Sequence, residues 1–294
     1  MSISDHAGAA AARTDRHESF LVYKRFRFLK IAVAAIAVSL ALYIVDAPYG
    51  GRYGGTWAGY VLGTVAALII LWLTWFGYRK RSYLKPEAKL VAWLSAHVYL
   101  GLALIVIATL HTGFHFGRNV HTVAYVLMCL VIATGMFGVY TYGRYPQRMT
   151  ENRRGLTLRG MLGRIASLDD ELRSAALGVD DATAALVERS VATTQVGGSL
   201  WEQLSGQYPG CRTAAALAGL DWLDRVSVSV SPEQVRATRQ LRMLLEEKAL
   251  LLARARRDVT YKAMMEVWLY IHVPLSFALV AALLAHVIAV FYLW

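Results

Sequence analysis

Long apolar runs separated by short polar turns fill both ends of this chain, and one extended polar stretch interrupts them. The apolar runs lie near 29–46, 57–78, 90–111, 121–142 and 265–293. Each suffices to cross a hydrocarbon core of about 30 Å, which takes about 20 helical residues. The stretch 143–263 is too polar for lipid. The pattern predicts an all-α protein: a polytopic membrane helical bundle with five transmembrane helices and a cytoplasmic helical insert. Its segments are an N-terminal tail (1–28), helices 1–4 (29–142), the insert (143–263) and helix 5 (264–294).

Charge placement gives the orientation. Of 31 Lys and Arg, six fall before or just inside the first run, five between Arg79 and Lys89, and eighteen in the insert. The other two connections carry only Arg52 and Arg118. Lys and Arg concentrate in cytoplasmic loops, so the tail and insert are expected in the cytoplasm and the C-terminus in the periplasm of a bacterial-type inner membrane. The net charge of +11 is thus accounted for by topology, with no nucleic-acid partner expected. The first run follows a long polar lead, and Pro48 follows its one plausible cleavage point, so it is expected to stay as an anchor. A hydrophobic fraction of 56% and mean hydropathy of +0.40 agree with a lipid-embedded chain. Cys129 falls in a span and Cys211 in the insert, so no disulfide is expected.

The insert reads as helical. Ser231 is a good N-cap, Pro232 suits the first helical position, and Gln234 completes a capping box. No Gly or Pro follows until Pro274, which predicts one helix from Ser231 into the fifth span. "LRGMLGRIASLDDELRSAAL" and "DDATAALVERSVATT" have helical periodicity, and "GQYPGCR" reads as a turn. No phosphate loop, cysteine pair or histidine cluster marks the insert as catalytic. A packing or docking module is expected there.

Candidate chemistry sits in the spans. His97 and His111 in the third are fourteen residues apart, as are His272 and His286 in the fifth. In an α-helix fourteen residues rise about 21 Å and return within about 40° of the same face. The third and fifth spans run in one direction, so His97 is expected level with His272 and His111 level with His286. Ionisable groups at lipid depth are expensive and mark function. Facing neutral imidazoles suit the two axial positions of a haem iron, which predicts two haem groups about 20 Å apart. The lone pairs of histidines lack the carboxylates or thiolates that non-haem metals usually need.

Supporting residues are less specific. Gly101, Gly135 and Gly138 suit close approach of a flat macrocycle, while Gly59 and Gly63 read as ordinary helix packing. Pro274 removes a backbone bond to Tyr270 and is expected to bend the helix near His272. His115 competes with His111 as a ligand but would break the fourteen-residue match. His115, Arg118 and His121 lie in an outer turn, able to balance propionates, hold a quinone head group or simply face the interface. His6 and His17 belong to a polar tail.

Paired histidines four turns apart on two helices resemble the membrane dihaem b-type cytochromes, in particular cytochrome b of quinol–cytochrome c oxidoreductase. The membrane cytochrome subunits of formate dehydrogenase and related respiratory enzymes are similar. The resemblance covers the spans and is silent on the insert, which here separates the two ligand helices. It implies ligation of an inner haem by His97 and His272 and of an outer haem by His111 and His286. It also implies an electron-transfer subunit working between quinone or quinol and a redox partner, a c-type cytochrome or iron–sulfur protein. Glu266, Tyr142, Arg144, Tyr83 and Lys85 are the candidates near an inner quinone, with Glu266 alternatively an interfacial charge. Two other functions stay open: an outer-face reductase of metal ions or other acceptors, and a membrane scaffold or signal relay acting through the insert.

Overall fold

The computed structural model describes residues 20–80, 87–226 and 231–292; Tyr83 and Lys85 lie outside them. Among the described residues all regular structure is helical: α1 (Tyr23–Val45), α2 (Trp57–Lys80), α3 (Glu87–Thr112), α4 (Val120–Arg153), α5 (Leu158–Ala176), α6 (Asp181–Ala192), α7 (Leu200–Ser205), α8 (Thr213–Val226) and α9 (Pro232–Tyr292). The chain divides into two compact units, one made of 1–139 with 270–294 and the other of 140–269.

Among the described residues five helices are long and apolar enough to cross a membrane, and the chain is a multi-pass membrane protein. The predicted apolar runs coincide with α1, α2, α3 and the apolar parts of α4 and α9. α4 continues past the expected end at 142 because nothing in "YGRYPQRMTENR" stops it before Arg153. Pro146 is tolerated inside, and Thr150 Oγ1 donates to its carbonyl at 3.0 Å.

The bundle packs around small and aliphatic residues from all five spans, among them Ala32, Leu62, Leu104, Ile107, Met128 and Leu279. Val38, Leu68, Phe277 and Phe291 turn outward and stand exposed. Such apolar exposure is stable against hydrocarbon, where each helix satisfies its own backbone. Trp57 and Trp75 stand exposed near opposite ends of α2. Their separation of about 27 Å along the helix suits the two interfaces, where tryptophan prefers to sit. The C-terminal carbonyls of α1 are capped by Arg52, whose Nε donates to Asp46 O at 2.8 Å and Nη2 to Ile44 O at 3.0 Å.

The insert unit is built from well-capped helices. Thr157 caps α5 and Asp180 caps α6 through side-chain oxygens that accept from Gly160 N and Thr183 N. The sequence reading missed α7 and α8. The signal for α7 is local: Ser199 and Glu202 form a capping box, and Gly206 closes the helix in the left-handed region at φ 68°. At the start of α9, Ser231 Oγ accepts from Gln234 N at 3.2 Å, as expected of an N-cap.

One face of α9 runs through both cores of this unit: Leu241, Leu245, Lys248, Leu252 and Ala255, all 1% exposed or less. Lys248 is the odd member. Its ammonium donates to Ser190 O at 2.9 Å and Ser190 Oγ at 3.2 Å and forms an ion pair with Asp169 Oδ1 at 2.6 Å. Nearby, Arg153 holds the buried Asp258 with Nε and Nη2 on its carboxylate. Cys129 and Cys211 are both free thiols.

Candidate functional site

The face of α3 that meets the bundle carries His97, Gly101, Leu104, Ala108 and His111. That of α9 carries His272, Ser276, Leu279, Leu283 and His286. Both follow steps of 4, 3, 4 and 3 residues, the α-helical stripe. His97, Gly101 and Leu104 from α3 and His272, Ser276 and Leu279 from α9 line one partly open cavity. The other pair meets at the far end of the stripe, where the His111 and His286 rings lie 6.0 Å apart at 84°. The four histidines are thus brought together as two levels separated by a leucine and alanine layer.

Neighbouring helices hold these imidazoles. His111 Nδ1 lies 2.7 Å from the Gly59 carbonyl and donates to it, because a carbonyl only accepts. His97 has a backbone partner at Leu73. Gly59 and Leu73 are themselves fourteen residues apart on α2, and each is followed four residues later by glycine, Gly63 and Gly77. A helical carbonyl has a second lone pair, and a glycine one turn on leaves it open to a side chain. Gly63 does more: a Cβ there would fall 2.6 Å from His111 Cε1. Gly59 packs closely against the Tyr53 and Gly54 backbone, as expected of a packing glycine, while Gly63 makes room for the His111 ring.

α4 serves the other pair. Thr134 Oγ1 donates its hydrogen to Val131 O at 2.8 Å and lies 2.9 Å from His272 Nδ1. A hydroxyl has one hydrogen, so within this pair His272 Nδ1 donates to Thr134 Oγ1, and a backbone partner at Val131 also holds the ring. Gly135 opens the cavity wall; a Cβ there would meet His272 Cε1 at 3.4 Å. Fourteen residues earlier α4 carries His121, whose Nδ1 lies 2.5 Å from His286 Nδ1 with the rings perpendicular at 4.5 Å. His121 therefore belongs to the second level, a convergence the sequence reading left undecided.

The remaining candidates lie apart from these levels. His115 bonds back to the Gly113 carbonyl at 2.9 Å and lines a separate crevice with Arg52, Tyr43 and Pro48. Arg118 is exposed in the same connection. Glu266, in the insert unit, is exposed and pairs with Lys262 at 3.7 Å, which fits its plain reading as an interfacial charge. Tyr142 packs edge-on against Trp268 at 5.3 Å, and Arg144 is exposed. Pro274 lies within continuous α9.

The residues that would hold a haem at the first level are His97 and His272, which share one cavity wall with Gly101 and Gly135. At the second level the residues that would hold a haem are His111 and His286, whose rings are neighbours. Among the described residues no group of three or more His, Cys, Asp or Glu has the geometry of a metal-ion site. No family model, curated protein or solved structure matches the chain.

Proposed function

We propose that this chain moves electrons across a bacterial-type inner membrane through two haem b groups. His97 and His272 would hold an inner haem, and His111 and His286 an outer one. The observation that carries the reading is the common register of α3 and α9, with four imidazoles at two matched levels. Bound there, haem iron supplies a one-electron couple at each level. The protein contributes position and tautomer. α2 accepts from the histidines of α3, Thr134 from His272, and glycine thins the helices where a macrocycle must approach. The apolar layer of Leu104, Ala108, Leu279 and Leu283 keeps water from the path between levels.

The charge asymmetry supports the orientation, with the insert in the cytoplasm and the C-terminus in the periplasm. Quinone or quinol on one side and a redox partner subunit, a c-type cytochrome or iron–sulfur protein, on the other would be donor and acceptor. The capped, closed insert suits docking rather than chemistry. Haem quantitation by pyridine haemochrome tests the reading. The purified protein should hold two haem b per chain. His97→Ala and His272→Ala should each lose one, His111→Ala and His286→Ala the other, and His115→Ala neither. No b-type absorbance in the wild type, or loss of haem on His115→Ala with retention on His111→Ala, would overturn it.

A further inference from the structure

We infer that His121 is the positioning residue of the outer level: it accepts the Nδ1 hydrogen of His286 and fixes the tautomer and ring plane that His286 presents to iron. This rests on the dihaem reading. α4 faces the two levels with positions fourteen residues apart, and it treats them differently. At the inner level it offers Gly135, whose missing side chain leaves His272 room, with the Thr134 hydroxyl beside it. At the outer level the equivalent position is His121, set edge-on to His286.

A bond between two ring nitrogens holds one hydrogen. With Nε2 of neutral His286 on iron, that hydrogen is on its Nδ1, so His121 Nδ1 accepts and His121 carries its own hydrogen on Nε2. His111 does not compete, because its Nδ1 is committed to the Gly59 carbonyl. Metal-bound histidines almost always donate their second N–H, and the acceptor sets ring orientation and ligand basicity. An imidazole nitrogen is a stronger acceptor than the hydroxyl that serves His272. His121 therefore pushes more electron density onto His286 Nε2 and favours ferric over ferrous iron at that level alone. The two haems receive different potentials from one pair of helices with the same ligand spacing.

The test uses the full-length, haem-loaded protein with His121→Phe, which keeps a ring and removes the acceptor, and His121→Gln, whose amide oxygen can accept. Haem per chain, optical redox titration and low-spin EPR are read together. His121→Phe should keep two haems. It should shift one reduction equilibrium about tenfold toward ferrous, about 59 mV for a one-electron couple, and alter one EPR signal. His121→Gln should return most of the shift. Should His121→Phe fail to accumulate, His121→Ala carries the same expectation. Two haems with unmoved potentials and EPR in the acceptor-less variant would overturn the role of His121. Loss of one haem in His121→Gln as well as His121→Phe would overturn it too, making His121 a ligand. A wild type without two haems defeats the dihaem reading itself.

Discussion

Lys248 in the insert and His272 in the bundle are both ionisable side chains withdrawn from water onto helical stripes, yet their hydrogen bonding is resolved in opposite ways. Lys248 stands in a row of leucines, and the protein engages it with two hydrogen bonds to Ser190 and an ion pair to Asp169. His272 stands at the end of a similar row, and the protein engages its Nδ1 through Thr134 while the ring borders a cavity. A closed network adds specificity to a core and offers nothing to a ligand. A buried imidazole beside a cavity is what the proposed haem would require. The difference separates structure from function inside one molecule, without reference to any relative.

The largest expected effect lies on the closed side. Lys248→Met takes from Asp169, which is 14% exposed and keeps its bond from Thr194, its charged partner and leaves Ser190 short of a donor, and should destabilise the insert by about 1–3 kcal/mol. Lys248→Met with Asp169→Leu should regain most of it, and both should leave haem content unchanged in whatever protein folds. Thermal melts of the full chain, read beside haem per chain, check this. If the single variant lost haem without losing stability, the insert would not be merely structural.

On the open side, Gly63→Ala drives a methyl into the His111 ring and should abolish the outer haem while sparing the inner one. The corresponding change at the inner level, Gly135→Ala, brings only van der Waals contact with His272. Its effect should be far milder in the same haem assay. Next in size, Thr134→Val removes the acceptor for His272 Nδ1 and should weaken inner-haem retention about 10–100-fold. Thr134→Ser should restore it. Competition with apomyoglobin as a haem acceptor would measure both.

The smallest effects concern the caps. Asp180→Ala should cost about 1 kcal/mol of insert stability. The backbone N–H of Thr183 holds the Asp180 carboxyl below its usual range, and that of Ser199 does the same for Glu202. Carboxylates lowered in the folded state stabilise it above their unfolded values of about 4. That contribution fades as pH falls through the folded values. Helix melting followed by circular dichroism should therefore lose stability on the acid side, and Asp180→Ala should flatten the profile.

Much of the frame was legible in the chain because its signals are one-dimensional. Five apolar runs, a shared fourteen-residue interval and a helix without a break from Ser231 all follow from helical geometry alone. The expected register is the observed one for His97, His111, His272 and His286. What supports them was hidden for a physical reason. Thr134 and Gly63 are ordinary residues in a membrane helix, and nothing in their identity says which neighbour they face. His121 was visible as a histidine, but its approach to His286 depends on how α4 packs against α9. One clue was available: it lies fourteen residues before Gly135, repeating the interval of the ligand helices. Lys248 gave no sign of its burial, because a lysine in an amphipathic helix is usually a solvated charge.

The amine of Lys248 has a practical consequence for following this protein in motion. It has no exposed surface in the folded chain, so reagents that acylate amines can reach it only when the stripe from Leu241 to Ala255 opens. Mass spectrometry of one tryptic site, sampled over time beside an exposed reference such as Lys262, would turn that lysine into a stopwatch. It would time the breathing of the insert in intact membranes, with no label added in advance.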